Sequence, residues 1–334
     1  MYEMKKELIF GTFLLYAGIN QILHAQQSIE HIVTKQDSIN IALNNLMQEL
    51  LEDGYDIKPF LSDNKYKLHK NVKNYFETAP EKIDKKKDFL TLKEIEEYYA
   101  LADTAEVIQM FKSYSKIFVP KIKLKAPFFI AKYKNDLLKI ETKKVSAGLI
   151  TSTLGIESRF KLNAGRDDFK AFNALVSINV MDKLDNFLRI TKRTNWKEYY
   201  SLELKALLDM KDYVPIFSNS SYCGAIGALQ FMPQSIKQYL KGNNLFEMES
   251  VLKLVVSYYE DRWAGNVPKS ILRYNNSSKY MLAVSHLTDY FNETYFDKKT
   301  NYFEEAIPIA IKRINNYREI KKKQAIEEYY KNKK

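Results

Sequence analysis

The sequence predicts a mainly α-helical protein, and three observations carry that prediction. Glycine and proline number only 10 and 8 in 334 residues, too few for a turn-rich β architecture. The aromatic load is high, with 24 Tyr and 19 Phe. Apolar residues gather in segments of helical length and spacing. With 46% hydrophobic residues, the chain can bury one large core or two modest ones.

In chain order, Ile39, Ile41, Leu43, Leu46 and Leu50 mark a first helix from Ser38 to Leu51, closed by Asp53-Gly54. Residues 55–85 read as short helical pieces carrying solvated lysines. Lys85 to Ser115 reads as a separate charged helical unit with Leu92, Ile95, Tyr98, Tyr99 and Leu101 as its apolar side. A helix from about Pro127 to Ile140 follows. Lys144 to Leu154 is nearly all apolar or small and reads as a buried helix ending at Gly155. Further apolar faces recur in Ala171–Ile178, Tyr199–Met210, Val251–Tyr259 and Tyr280–Tyr290. Beyond Tyr290 the chain turns polar, and residues 309–334 read as a lysine-rich helix or a frayed tail.

The amino terminus reads as an export signal. Lys5-Lys6 precedes an apolar run from Leu8 to Ile19, and Leu23-His24-Ala25 offers a small-residue cleavage site before Gln26. The run is short for a membrane span, and a retained anchor is the alternative reading. Cys223 is the one cysteine, so no intramolecular disulfide can form. An exported chain without disulfides fits a bacterial envelope or periplasm. Between Tyr222 and Gly224, with no base nearby, Cys223 reads as a packing residue and not a nucleophile. The net charge of +11 is spread over scattered lysines with no nucleic-acid recognition motif, which argues against nucleic acid as a partner. It suits an acidic polymer such as a cell wall. His24, His31, His69 and His286 lack ligand spacing, so the expectation is no metal and no cofactor.

Three segments carry the chemistry. In Gly155-Ile156-Glu157-Ser158-Arg159-Phe160 the Glu157 carboxyl follows an apolar helix. Desolvation there favours the neutral acid, as a general acid near neutral pH requires. The plain alternative is a helix-terminal glutamate paired with Arg159. In Gly224-Ala225-Ile226-Gly227-Ala228-Leu229-Gln230-Phe231-Met232-Pro233, two glycines allow close backbone approach, and Gln230 offers a donor and an acceptor to a sugar. A tight inter-helix loop would look the same. In Arg273-Tyr274-Asn275-Asn276-Ser277, Tyr274 and Asn275 pair an aromatic face with an amide, a combination suited to an N-acetyl sugar. Tyr258 on the preceding helix could join them. Core packing or capping would explain each of these singly.

Together the three segments resemble those of the lysozyme-like lytic transglycosylases, most closely the membrane-bound lytic transglycosylase B type (glycoside hydrolase family 103). The likeness covers roughly residues 35–295, patchily in the first hundred and well from Lys144 onward. It extends to Tyr199-Tyr200-Ser201-Leu202-Glu203-Leu204. The resemblance implies a lysozyme-like transglycosylase fold with an N-terminal helical extension. It divides the chain into a signal peptide (1–25), an N-terminal helical region (26–125), a catalytic domain (126–295) and a polar C-terminal helix or tail (296–334). An insertion is expected within residues 80–120.

By the same resemblance Glu157 falls on the catalytic acid/base. Ser221 and Gln230 fall on cleft residues, and Tyr258, Tyr274 and Asn275 on further groove positions. The implied reaction is non-hydrolytic cleavage of the β-1,4 bond between N-acetylmuramic acid and N-acetylglucosamine in peptidoglycan, closing a 1,6-anhydro ring. A hydrolytic muramidase and a non-catalytic peptidoglycan-binding or scaffold protein are the alternatives. Asp167 and Asp168 are the nearest spare carboxylates. The chain departs from the family where paired arginines are expected, carrying Asn195-Trp196 with Arg193 nearby, which weakens stem-peptide recognition. Leu240-Lys241-Gly242-Asn243-Asn244 lacks the acidic series of a calcium loop. A partner in the cell-wall machinery and the oligomeric state stay open.

Overall fold

The computed structural model describes residues 36–72, 74, 91–185 and 196–332. The signal-peptide reading, the Lys85–Lys87 run and Arg193 with Asn195 therefore lie outside the described residues. The chain divides into two compact units, Met1–Lys73 with Val176–Ser201, and Asn74–Leu175 with Leu202–Lys334. The sequence reading instead drew its boundary near residue 125.

In the smaller unit, residues 36–52 are helical (α1) and bury Ile39, Ala42, Leu46 and Leu50. Ile57 and Val72 are buried too, as are Val176, Ile178, Val180 and Met181 of the unit's second segment. The Ser177 hydroxyl accepts from the His69 backbone N–H at 2.8 Å.

The larger unit holds α2 (Leu92–Tyr98), α3 (Thr104–Ser115), α4 (Val119–Ile140), α5 (Ala147–Ser158), β1 (Arg166–Lys170) and the start of α6 (Ala171–Asp185). After it come the end of α7 (Trp196–Asp209), β2 (Asn219–Ser220), α8 (Pro233–Leu240), α9 (Met248–Asp261), α10 (Val267–Tyr274), α11 (Ser278–Phe296) and α12 (Tyr302–Lys331). β1 and β2 form an antiparallel pair with an irregular register between Arg166 and Lys170.

The central element is α5. Ser146 caps it by accepting from the Leu149 N–H at 3.2 Å. Thr151, Ser152 and Thr153 are buried, yet each hydroxyl donates to the carbonyl four residues back at 2.7–2.9 Å. Satisfied in this way, the polar residues tolerate an apolar surrounding. The helix crosses α11 at Gly148, whose N–H donates to the Asn292 Oδ1 at 3.2 Å. A Cβ at Gly148 would lie 2.2 Å from that oxygen and 2.9 Å from the Thr288 backbone carbonyl. The side chain could swing away, but the backbone could not. Gly148→Ala is therefore expected to destabilise the fold by about 2 kcal/mol, as overpacking does. An unchanged midpoint in urea denaturation would contradict this crossing.

Two expectations change. Helix α4 begins at Val119, not near Pro127. Pro120 occupies its first turn, where no N–H is needed, and Pro127 sits exposed inside the helix. The segment before it is not one charged unit: α2 and α3 are separate helices that pack on α12. Of the two readings of the polar C-terminal segment, helix or frayed tail, the structure has the helix, continuous over the 30 residues Tyr302–Lys331. Asp289 of α11 holds its start by accepting from the Tyr302 and Phe303 N–H groups at 3.0 and 2.8 Å. Ala306, Ile307 and Ala310 are buried on it. Asn315 on the same helix bonds both backbone groups of Ala102.

Candidate active site

Glu157 lies in the last turn of α5, one residue before the helix closes at Ser158. The closure uses two consecutive left-handed residues, Arg159 (φ 52°) and Phe160 (φ 67°). Such geometry is uncommon outside glycine. Here it is held by Arg159 N–H on the Gly155 carbonyl at 3.0 Å and by Phe160 stacked on Phe129 of α4 at 4.6 Å. Arg159 is exposed. No ion pair joins it to Glu157 among the described residues, so the plain alternative of a terminal pair is not what the structure contains.

The Glu157 Oε1 accepts a hydrogen bond of 2.6 Å from the Tyr280 hydroxyl, at the start of α11. Burial raises the Glu157 pKa from the usual 4.5 to about 7, while the Tyr280 bond works in the opposite sense and is outweighed. Half of such acids hold their proton near neutral pH. The tyrosines around the carboxyl respond to it: burial and the Glu157 charge raise Tyr280 and Tyr274 well above the ordinary phenol value. Tyr259 and Tyr114 are raised by the same two causes. All four remain protonated hydroxyls at neutral pH and can only lend hydrogen bonds, not charge.

An aromatic stack joins this acid to the other two segments. The Tyr280 ring lies parallel to Tyr274 at 6.0 Å, and Tyr274 lies parallel to Tyr259 at 5.6 Å. The Tyr274 hydroxyl donates to the Leu229 carbonyl at 2.5 Å, inside the glycine-rich turn. Tyr259 donates to the Thr153 hydroxyl at 3.0 Å, because the Thr153 proton is already directed at the Leu149 carbonyl. Thus α5, the turn, α10 and α11 are tied together around one carboxyl.

The turn needs its glycines. Gly224 (φ 87°) and Gly227 (φ 72°) take left-handed backbone, and a Cβ on Gly224 would meet Leu175 Cγ at 2.7 Å. Ile226 and Phe231 exchange both backbone bonds at 2.9 and 3.2 Å, and Gln230 bridges them with φ 49°. The Gln230 amide nitrogen donates to the carbonyls of Gly227 and Ala164 at 3.0 and 3.3 Å. That orients its Oε1 as the remaining acceptor. The Ser221 hydroxyl accepts from the Cys223 and Ala225 N–H groups at 3.2 and 3.1 Å, which shapes the same turn.

Of the residues that sequence reasoning selected, Glu157, Tyr274 and the turn bearing Gln230 are brought together. Tyr258 is buried, with its ring 4.7 Å from Phe231 and its hydroxyl on the Arg273 carbonyl at 3.3 Å, so it braces the stack from behind. Asn275 is exposed and ends α10. Asp167 and Asp168 are exposed on β1, bonded to Asn219 and Arg166. Tyr280, Tyr259 and Tyr114 were missed. Tyr280 is the third residue of α11, after the capping Ser277, and nothing local in the sequence says that its hydroxyl faces Glu157. Glu203 is a buried acid of another kind, capping α8 by accepting from the Gln234 N–H at 2.8 Å.

A desolvated acid in an aromatic and amide setting, on a helical scaffold with a two-stranded sheet, defines a glycan-cleaving protein of the lysozyme-like class. The sequence matches the family described as "Transglycosylase SLT domain" over residues 64–243. The chain belongs to that family, and is a lytic transglycosylase of lysozyme-like fold. Solved structures agree on the fold. The soluble lytic transglycosylase SltB1 from Pseudomonas aeruginosa superposes with a TM-score of 0.51 at 17% identity, covering 75% of this chain and 98% of its own. SltB3 from the same organism, solved in complex with NAG-anhNAM-pentapeptide, gives 0.53 at 16% identity, covering 76% and 79%. A 36 kDa muramidase/transglycosylase gives 0.51 at 17%, covering 81% and 94%. No curated protein matches the chain.

Proposed function

We propose that this transglycosylase cleaves peptidoglycan between N-acetylmuramic acid and N-acetylglucosamine, with Glu157 as its one acid/base. The observation that supports this most is the Glu157 carboxyl, raised to about 7 by burial and held by Tyr280. Protonated, Glu157 gives its proton to the glycosidic oxygen as that bond breaks. The carbonyl oxygen of the substrate's 2-acetamido group bonds to the anomeric carbon and carries the positive charge. Glu157, now a carboxylate, takes the proton of the muramic 6-hydroxyl as its oxygen displaces the acetamido oxygen. The 1,6-anhydro ring closes and the acid is restored.

A single carboxyl suffices in substrate-assisted chemistry of this kind. Among the described residues only burial and Tyr280 perturb Glu157, whereas a second carboxylate at reacting distance would add its own repulsion. Gln230 Oε1 and Asn275 would hold the acetamido and hydroxyl groups, and the Tyr274–Tyr280 stack, with Tyr280 buried, would back the Glu157 carboxyl from inside the protein. Ser221 and Tyr258 would keep the turn and stack in shape. The test is mass spectrometry of products from purified peptidoglycan. Muropeptides lighter by one water than reducing-end fragments are expected. Reducing-end products would instead establish a muramidase, and no products a binding protein.

The site of action is the bacterial envelope, reached by export and cleavage after Ala25. Among the described residues no helix is long and apolar enough to cross a membrane. Amino-terminal analysis of the protein recovered from its native cells should begin at Gln26. A chain beginning at Met1 in the cytosol would contradict export.

A further inference from the structure

Helix α4 is apolar on two sides. Its inward residues, among them Ile122, Phe129 and Ile130, are buried, and the helix packs on α5 and α9. Its outward side carries Leu124 at 74% exposure and Phe128 at 79%, one turn apart, with the exposed Ala131 next along the same face. Ile117, in the turn that enters the helix, is 70% exposed. Leu124, Phe128 and Ala131 take the four-residue and three-residue steps of one helical stripe, and Ile117 lies just before it. Nothing among the described residues covers it. By the helical period, Lys121, Lys125 and Lys132 flank the stripe on one side and Lys134 on the other, all exposed, and the exposed Lys116 lies in the turn before the helix. Between Glu106 and Asp136 the chain has seven lysines and no acidic residue.

We infer that this face of α4 docks the protein on an anionic lipid surface. The apolar stripe would enter the boundary between headgroups and acyl chains while the flanking lysines meet the lipid phosphates, the arrangement of an interfacial amphipathic helix. Charge complementarity selects this occupant: four exposed cations flank one stripe, and a bilayer of anionic lipid offers both a negative plane and an apolar layer beneath it. A glycan polymer offers the first but not the second. The inference goes beyond the catalytic reading and stands independently of it.

The full chain is sedimented with vesicles of phosphatidylglycerol and phosphatidylcholine, and with phosphatidylcholine alone. Binding to the anionic vesicles is expected to fall about fivefold for each of Lys121→Gln, Lys125→Gln and Lys132→Gln. It should also fall in the Leu124→Ser/Phe128→Ser double variant, whose exposed positions leave folding intact by circular dichroism. A Phe128→Trp variant reads the location directly. Brominated lipid should quench its added fluorescence only when the vesicles are anionic. Binding that persists with residue 128 unquenched would place the contact elsewhere, as in the apolar run of residues 8–19, and overturns the inference. So does absence of binding, equal binding to neutral vesicles, or a dimer in sedimentation that Leu124→Ser dissolves, because a second copy would then own the stripe.

Discussion

Glu157→Gln will lower turnover of peptidoglycan by between about a hundredfold and ten thousandfold, with little change in KM. Glutamine keeps the size of the side chain and an oxygen to accept the Tyr280 hydroxyl, now seen at 2.6 Å. What it lacks is the proton that leaves and returns. Positioned proton transfer contributes a factor of that order, and the loss appears in kcat because the transferred proton matters only as the glycosidic bond breaks. The substitution removes no bulk and adds no charge, so the aromatic stack of Tyr274, Tyr259 and Tyr280 should stay as it is. Retention of more than about a tenth of wild-type kcat would show that another group carries the proton.

The second large effect is expected at Tyr280. Phenylalanine there keeps the parallel ring contact with Tyr274 at 6.0 Å but removes the one hydrogen bond on the carboxyl. That bond favours the charged form and lowers the Glu157 pKa against the larger effect of burial. Without it the pKa rises above about 7. The reaction needs protonated Glu157, so kcat/KM falls as pH rises through that pKa. In Tyr280→Phe the alkaline limb must therefore move to higher pH, while kcat at the optimum drops about tenfold as the carboxyl loses its fixed direction. A merely structural tyrosine would lower stability and leave the limb in place. A limb displaced to lower pH would contradict the sign of the argument.

Much of this site was legible before the fold was known, for identifiable reasons. Glu157 stood out because a stretch nearly all apolar or small, Ala147 to Ile156, ends in a carboxylate, although a helix-terminal glutamate paired with Arg159 fitted that pattern too. The turn was legible through Gly224 and Gly227, whose spacing asks for left-handed backbone. Tyr280 was not. Its hydroxyl reaches Glu157 only because α11 lies tightly across α5, and that closeness depends on Gly148 facing Asn292, a pairing 144 residues apart in sequence. Tyr258 was expected to face the groove, yet its hydroxyl is on the Arg273 carbonyl. Adjacent tyrosines on one helix point about 100° apart, and nothing in Tyr258-Tyr259 says which way each turns.

The fold shows the same division. Helix cores followed the apolar spacing, while ends and associations did not. Pro127 looked like a helix start because proline favours the first turn, but Pro120 already fills that role in α4. The end of the chain left helix and tail both open because polar residues dominate it. Its docking depends on a few: Ala306, Ile307 and Ala310 inward, Asp289 at its start, and Asn315 on Ala102. β1, read from Arg166-Asp167-Asp168-Phe169-Lys170, has no β-branched residue to announce it. It exists because Gly165 passes close to the Asn219–Ser220 backbone, where a Cβ would come within 2.6 Å.

The account rests on a proton held by Glu157 near neutral pH. The most direct measurement is a carbon-13 NMR titration of glutamate-carboxyl-labelled protein, with the Glu157 signal assigned by its loss in Glu157→Gln. The predicted midpoint is about 7, moving higher in Tyr280→Phe. A midpoint at the ordinary 4.5 would mean the carboxyl is ionised when the reaction needs it protonated, and would contradict the mechanism.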